Sequence, residues 1–249
     1  MKIRFKKRLL IVIISLLLSF ALIIGACAIY LADYYPAEEG SIATFAPEDN
    51  ISVSELDNGS IVFMPKDPKA GFIFYPGGKV EHNAYQTLMA SLAREGVLCI
   101  LVKMPFNLAV FDINAADGFQ DQYPEIDNWY IGGHSLGGSM AASYLEKSVE
   151  EYEGLVLLGS YSTVDLTNSG LDVLSVYGSV DYVLNSEKYA DNRSNLPDDF
   201  TEIVIEGGCH SYFGTYGEQK GDGTPSISNQ EQIELTVKGI MSMISEKSK

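Results

Sequence analysis

The chain has 249 residues, 46% of them hydrophobic and 11% aromatic, a composition that excludes a disordered polymer and suits one globular domain plus an appendage. Seventeen Lys and Arg stand against 33 Asp and Glu, a formal net charge of −16. So acidic a surface argues against a nucleic-acid binder, whose phosphate contacts require clustered cations.

The charge is unevenly placed. Lys2, Arg4, Lys6, Lys7 and Arg8 precede the first acid, Asp33, so residues 32–249 carry twelve cations against 33 acids, a net −21. Between Leu9 and Leu31 no charge occurs. As a helix this run would extend roughly 34 Å, enough to cross a hydrocarbon core of about 30 Å. Cations before the run and acids after it predict residues 1–8 in the cytoplasm, a transmembrane anchor over 9–31 and an exported remainder, with Tyr30, Tyr34 and Tyr35 in an interfacial aromatic belt. Two rivals export the same domain. A cleaved signal peptide could use Ala26-Cys27-Ala28, and Ile24-Gly25-Ala26-Cys27 resembles a bacterial lipobox that would lipidate Cys27. The three cysteines, Cys27, Cys99 and Cys209, make no disulfide framework; a Cys99–Cys209 bridge competes with buried free thiols. No spacing suggests a metal site.

Residues 32–50, with Pro36, Gly40 and Pro47, read as a linker before a domain over 51–249. Ile51–Glu55 and Ile61–Met64 flank Asn58-Gly59 and predict an antiparallel hairpin. Strands are then expected at Phe72–Tyr75, Val97–Val102, Trp129–Ile131, Leu155–Leu158, Leu171–Val176 and Ile203–Ile205. Helices are expected around Tyr85–Leu92 (ended by Gly96), over Leu136–Lys147, and along Ile233–Ile244 behind a Ser228/Glu231 capping box. Strands alternating with helices predict an α/β fold: a mostly parallel sheet covered on both faces, with active groups beyond the strands' C-terminal ends.

Gly133-His134-Ser135-Leu136-Gly137 sits where an apolar strand enters and a helix of small residues leaves. That context predicts a nucleophile elbow rather than a phosphate-binding turn. A serine hydroxyl needs a base to take its proton and an acid to orient the base. The elbow's chain order is serine, acid, histidine. Of the three histidines, His82 precedes the serine and His134 lies within the elbow, which leaves His210, after the last strand, as the base. Asp181 follows the intervening strand and is preferred as the acid over Asp165 and Asp172. The oxyanion donors are expected at Leu136 N–H and in Pro76-Gly77-Gly78-Lys79, with Gly78 first and Lys79 second. Lys79, Phe106, Tyr212 and Phe213 are candidate substrate-binding residues, with Asn107 and Tyr216 beside them; packed core aromatics are an equal reading of the last group.

Together Tyr75-Pro76-Gly77-Gly78-Lys79-Val80, Lys103-Met104-Pro105-Phe106-Asn107, Gly133-His134-Ser135-Leu136-Gly137-Gly138 and Gly208-Cys209-His210 resemble the α/β-hydrolases, in particular a compact bacterial dienelactone-hydrolase-like branch with an N-terminal membrane segment. The resemblance implies the α/β-hydrolase fold, a Ser135–His210–Asp181 triad, carboxylic-ester hydrolysis through an acyl-enzyme, a small-molecule ester substrate and no cofactor. An acyltransferase using the same triad and a silent hydrolase-fold binding module are the alternatives. Only residues 160–170 separate the Leu155–Leu158 strand from the next, too few for a helical lid, so an open cleft is expected.

Overall fold

A computed structural model describes residues 2–39 and 50–247 of the chain and resolves into two units, Met1–Tyr34 and Tyr35–Lys249. The first is a helix, α1 (Lys2–Ala32), whose Val12–Ala32 stretch is long and apolar enough to cross a membrane. Of the segment expected as linker, residues 40–49 lie outside the described residues. Residues 35–38 open the second unit and are bonded to its later loops. Tyr35 N–H donates to the Lys79 carbonyl at 2.7 Å, the Tyr35 carbonyl accepts from Glu81 N–H at 2.9 Å, and Glu38 N–H donates to the Thr215 carbonyl at 3.0 Å. Tyr35, expected in an interfacial belt, instead lies against the Tyr216 ring at 5.7 Å.

The second unit is built on an eight-stranded sheet: β1 (Ile51–Glu55), β2 (Ile61–Pro65), β3 (Ala70–Tyr75), β4 (Val97–Leu101), β5 (Trp129–His134), β6 (Gly154–Leu158), β7 (Asp172–Gly178) and β8 (Thr201–Ile205), in spatial order β1-β2-β4-β3-β5-β6-β7-β8. β1 and β2 form the antiparallel hairpin, β2 joins β4 antiparallel, and all later pairings are parallel. Alternation along the strands divides the core between the two faces. Phe72 and Phe74 pack with α2 (Gln86–Arg94) and α5 (Asn229–Lys247), whereas Ile73 and Tyr75 pack with Ala141, Ala142 and Leu145 of α3 (Leu136–Ser148). Ser228 Oγ accepts the Glu231 N–H at 3.1 Å and caps α5. The short α4 (Ser186–Asn192) was not expected: Tyr189 is its one buried side chain, so its sequence carries no apolar period.

The strand order reverses at β3, whose two neighbours are β4 and β5. In open parallel sheets such a switch point leaves a crevice beyond the strand ends. Here the segment after β3 carries Gly77-Gly78 and the segment after β5 carries Ser135. Residues 160–170 contain only turns and bends, so no helical lid stands over that end of β6.

Candidate active site

Ser135 lies between β5 and α3 with φ 52° and ψ −122°, a backbone state that costs a non-glycine residue strain and persists only when its surroundings enforce it. The surroundings do so. Ser160 Oγ donates to the Ser135 carbonyl at 2.7 Å, Ser139 N–H donates to it at 3.2 Å, and Ser139 Oγ donates to the Tyr161 carbonyl at 2.8 Å. The flanking glycine is a matter of space: a Cβ on Gly137 would lie 2.2 Å from the Tyr75 carbonyl oxygen.

The expected acid and base come together. His210 Nδ1 and Asp181 Oδ2 are 2.8 Å apart, and both side chains are almost wholly removed from solvent. Asp181 Oδ1 accepts the Val183 and Leu184 N–H groups at 3.1 and 2.8 Å, which fixes the carboxylate's rotation. The two loops that carry this pair are tied to each other: Val180 N–H donates to the Gly208 carbonyl at 3.0 Å and Gly207 N–H donates to Ser179 Oγ at 2.8 Å. Asp222 accepts the His210 and Ser211 N–H groups at 3.0 and 2.8 Å, and Gln232 of α5 brackets Cys209 through its N–H and carbonyl.

His210 Nε2 has no hydrogen-bond partner among the described residues. Ser135 and His210 border one open cleft of about 220 Å³, walled by Leu136, Ser139, Gly159, Tyr161, Val183, Leu184 and Asn185.

Leu136 N–H opens α3, among the donors a helix leaves without an internal acceptor. Gly78 N–H meets no acceptor among the described residues, and a Cβ on Gly78 would come within 2.8 Å of the Leu136 side chain, so the two residues are neighbours. Lys79, the second expected donor, is spent: its N–H bonds the Asn107 carbonyl at 2.7 Å.

Several expected wall residues are elsewhere. Phe213 and Tyr216 are buried core aromatics. Tyr212 lines a separate small cavity with Glu218, Gln219 and Asp222. Phe106 is 60% exposed, stands edge-on to Phe111, and does not border the Ser135 cleft. Asp172 begins β7 at the far end of the sheet, and Asp165 is exposed and bonded to Thr167. His82 is buried and makes no cap; burial first and Lys103 second push its imidazole down. Cys99 and Cys209 are both buried free thiols.

Sequence reasoning missed Gly159, Tyr161 and the Val183–Asn185 wall. The signal lay in their positions, directly after β6 and directly after the candidate acid.

A strained serine after a central parallel strand thus shares one cleft with a histidine that is hydrogen-bonded to a carboxylate on a neighbouring loop. The sequence matches the Alpha/beta hydrolase family over residues 71–234, and the chain belongs to that family. Solved structures share its fold. Dienelactone hydrolase from Anabaena variabilis is 14% identical with a TM-score of 0.57, covering 78% of this chain and 98% of its own. Est1E from Butyrivibrio proteoclasticus is 14% identical with a TM-score of 0.56, over 79% and 99%. Carboxyl esterase 2 from Tuber melanosporum is 15% identical with a TM-score of 0.53, over 83% and 91%. A search of curated proteins finds no match to the sequence.

Proposed function

We propose that this hydrolase-family chain is a serine esterase that cleaves small carboxylic esters through an acyl-enzyme. The observation that carries the reading is the buried 2.8 Å Asp181–His210 pair, sharing one cleft with a serine held at φ 52°. Ser135 Oγ attacks the ester carbonyl carbon while His210 Nε2 takes its proton, and Asp181 stabilises the imidazolium. The Gly78 and Leu136 N–H groups receive the charge that develops on the carbonyl oxygen. Collapse expels the alcohol, which leaves with the proton from His210. Water, deprotonated in turn by His210, then attacks the acyl group and frees the acid. One of the similar folds is named as a carboxyl esterase and another as a dienelactone hydrolase, which supports this chemistry.

The cleft is smaller than the roughly 300–1,000 Å³ of drug-sized sites, which favours short acyl groups. Fluorophosphonate should label the wild-type chain, label Ser135→Ala not at all, and label His210→Ala slowly. Across p-nitrophenyl esters, kcat/KM should fall as the acyl chain lengthens. Equal labelling of wild type and Ser135→Ala ends this reading.

The enzyme is membrane-anchored with its catalytic domain outside the cytoplasm. The apolar Val12–Ala32 helix and the five cations that precede it in sequence support this topology. Protease added to intact cells or spheroplasts should then digest residues beyond 35; protection until lysis would place the domain on the other side.

A further inference from the structure

His134 and Tyr85 have no part in the mechanism above, yet they fill the space beneath it. His134 ends β5 next to the nucleophile and is 1% exposed; Tyr85, just before α2, is wholly buried. Tyr85 Oη accepts the Gly77 N–H at 3.1 Å and meets His134 Nδ1 at 2.7 Å. The His134 ring lies against the His210 ring with centroids 4.4 Å apart and planes at 48°. One continuous contact path thus runs from the residue beside the oxyanion donor, through a phenol and an imidazole, to the catalytic base. It has no slack at its first step: a Cβ on Gly77 would sit 2.7 Å from both His134 Nδ1 and Tyr85 Oη.

Resting on the serine-esterase reading, we infer that Tyr85 and His134 are positioning residues: a hydrogen-bonded pair that locks the oxyanion loop to the His210 ring. The protonation pattern follows from the partners. Tyr85 Oη accepts the Gly77 N–H and its own proton meets no acceptor other than His134 Nδ1 among the described residues, so Nδ1 accepts and His134 carries its proton on Nε2, which itself meets no partner among the described residues.

The side chains whose rings face His134 are Tyr85, Phe213, Tyr216 and His210, the last of them bonded to Asp181 through Nδ1. Burial raises both tyrosines and keeps them neutral. Burial, and then the facing His210, hold the His134 imidazole well below its ordinary value; the His210 backbone opposes that shift without reversing it. The functional consequence is electrostatic. When His210 takes the serine proton, the ring against it is uncharged, and no second cation resists the imidazolium.

The test uses the full chain in detergent. Three histidines in all make a selectively ¹⁵N-labelled sample directly assignable. His134 should give the signals of a neutral imidazole protonated on Nε2 across about pH 5 to 9. Tyr85→Phe keeps the ring and removes both hydrogen bonds. It should lower kcat on p-nitrophenyl acetate between about ten- and a hundredfold with KM within about twofold, the scale of a misplaced catalytic group. His134→Phe should match that loss, whereas His134→Asn, which returns an acceptor near Nδ1, should recover part of it.

Wild-type turnover by Tyr85→Phe overturns the inference, as does a His134 that titrates as a cation in that window or carries its proton on Nδ1. The NMR result holds even if a variant fails to fold. The two levels also separate. If fluorophosphonate labels Ser135→Ala as it labels wild type, the esterase reading falls; if only Ser135→Ala loses its label and Tyr85→Phe turns over normally, only the positioning pair falls.

Discussion

Asp181→Asn is expected to lower kcat on p-nitrophenyl acetate by about four orders of magnitude with little change in fold. The size comes from the hydrogen-bond arithmetic around the side chain. One carboxylate oxygen is committed to two donors, the Val183 and Leu184 N–H groups at 3.1 and 2.8 Å, while the other faces His210 Nδ1 at 2.8 Å. An asparagine must keep its single oxygen toward the two backbone donors, so its NH₂ turns toward Nδ1. His210 Nδ1 can then only accept, its proton moves to Nε2, and Nε2 can no longer receive the proton of Ser135. The fold survives because the backbone bonds are preserved. Steady-state kinetics with a thermal melt check both halves, and a loss below tenfold would remove Asp181 from the proposed triad.

Gly159→Ala is expected to cost activity out of proportion to stability. Gly159 follows β6 with φ +51°, and its N–H donates to the Val176 carbonyl at 2.7 Å. A methyl group there would lie 2.9 Å from His210 Nδ1 and 3.0 Å from Asp181 Oδ2, wedged against the bond that joins them. The backbone penalty for alanine in this region is about 1–2 kcal/mol. Displacing the base from the nucleophile should cost about a hundredfold in kcat. Gly170→Ala separates the two effects: Gly170 also has positive φ, +73°, but a methyl group there would meet nothing within 4 Å. It should lose comparable stability and keep its turnover. Equal kcat losses in the two variants would show that strain alone, and not contact with the pair, accounts for the effect.

What the sequence made legible follows the range of the forces involved. The strands of the parallel sheet were readable because each buried run is written in consecutive side chains, Phe72–Tyr75 or Leu155–Leu158, between turn residues. The tight strand–helix turn at Ser135 was readable for the same reason: the glycines that relieve crowding against Tyr75 lie within two residues of it. His210 and Asp181 could be placed because loops after parallel strands end at one edge of the sheet.

The walls of the cleft were less accessible to this logic. Tyr212, Phe213 and Tyr216 are aromatic in a loop near the histidine, and nothing local distinguishes a ring facing a cleft from one packed on Tyr85 and His134. Tyr161 and Asn185 border the cleft through the approach of β6 and β7, a property of neither segment alone. His134 shows the same limit: its relation to Tyr85, 49 residues away, exists only once β3, β5 and α2 are packed together.

The residues just after the apolar helix carry a consequence for processing. Tyr35 and Glu38 are joined by backbone bonds to Lys79, Glu81 and Thr215, beside the loop of the oxyanion donor. All three N-terminal fates open to this chain, retention of the helix, cleavage after Ala28 or lipid attachment at Cys27, act upstream of Tyr35. Each would therefore leave those bonds in place, and the proposed active site would keep the same geometry under any of the three.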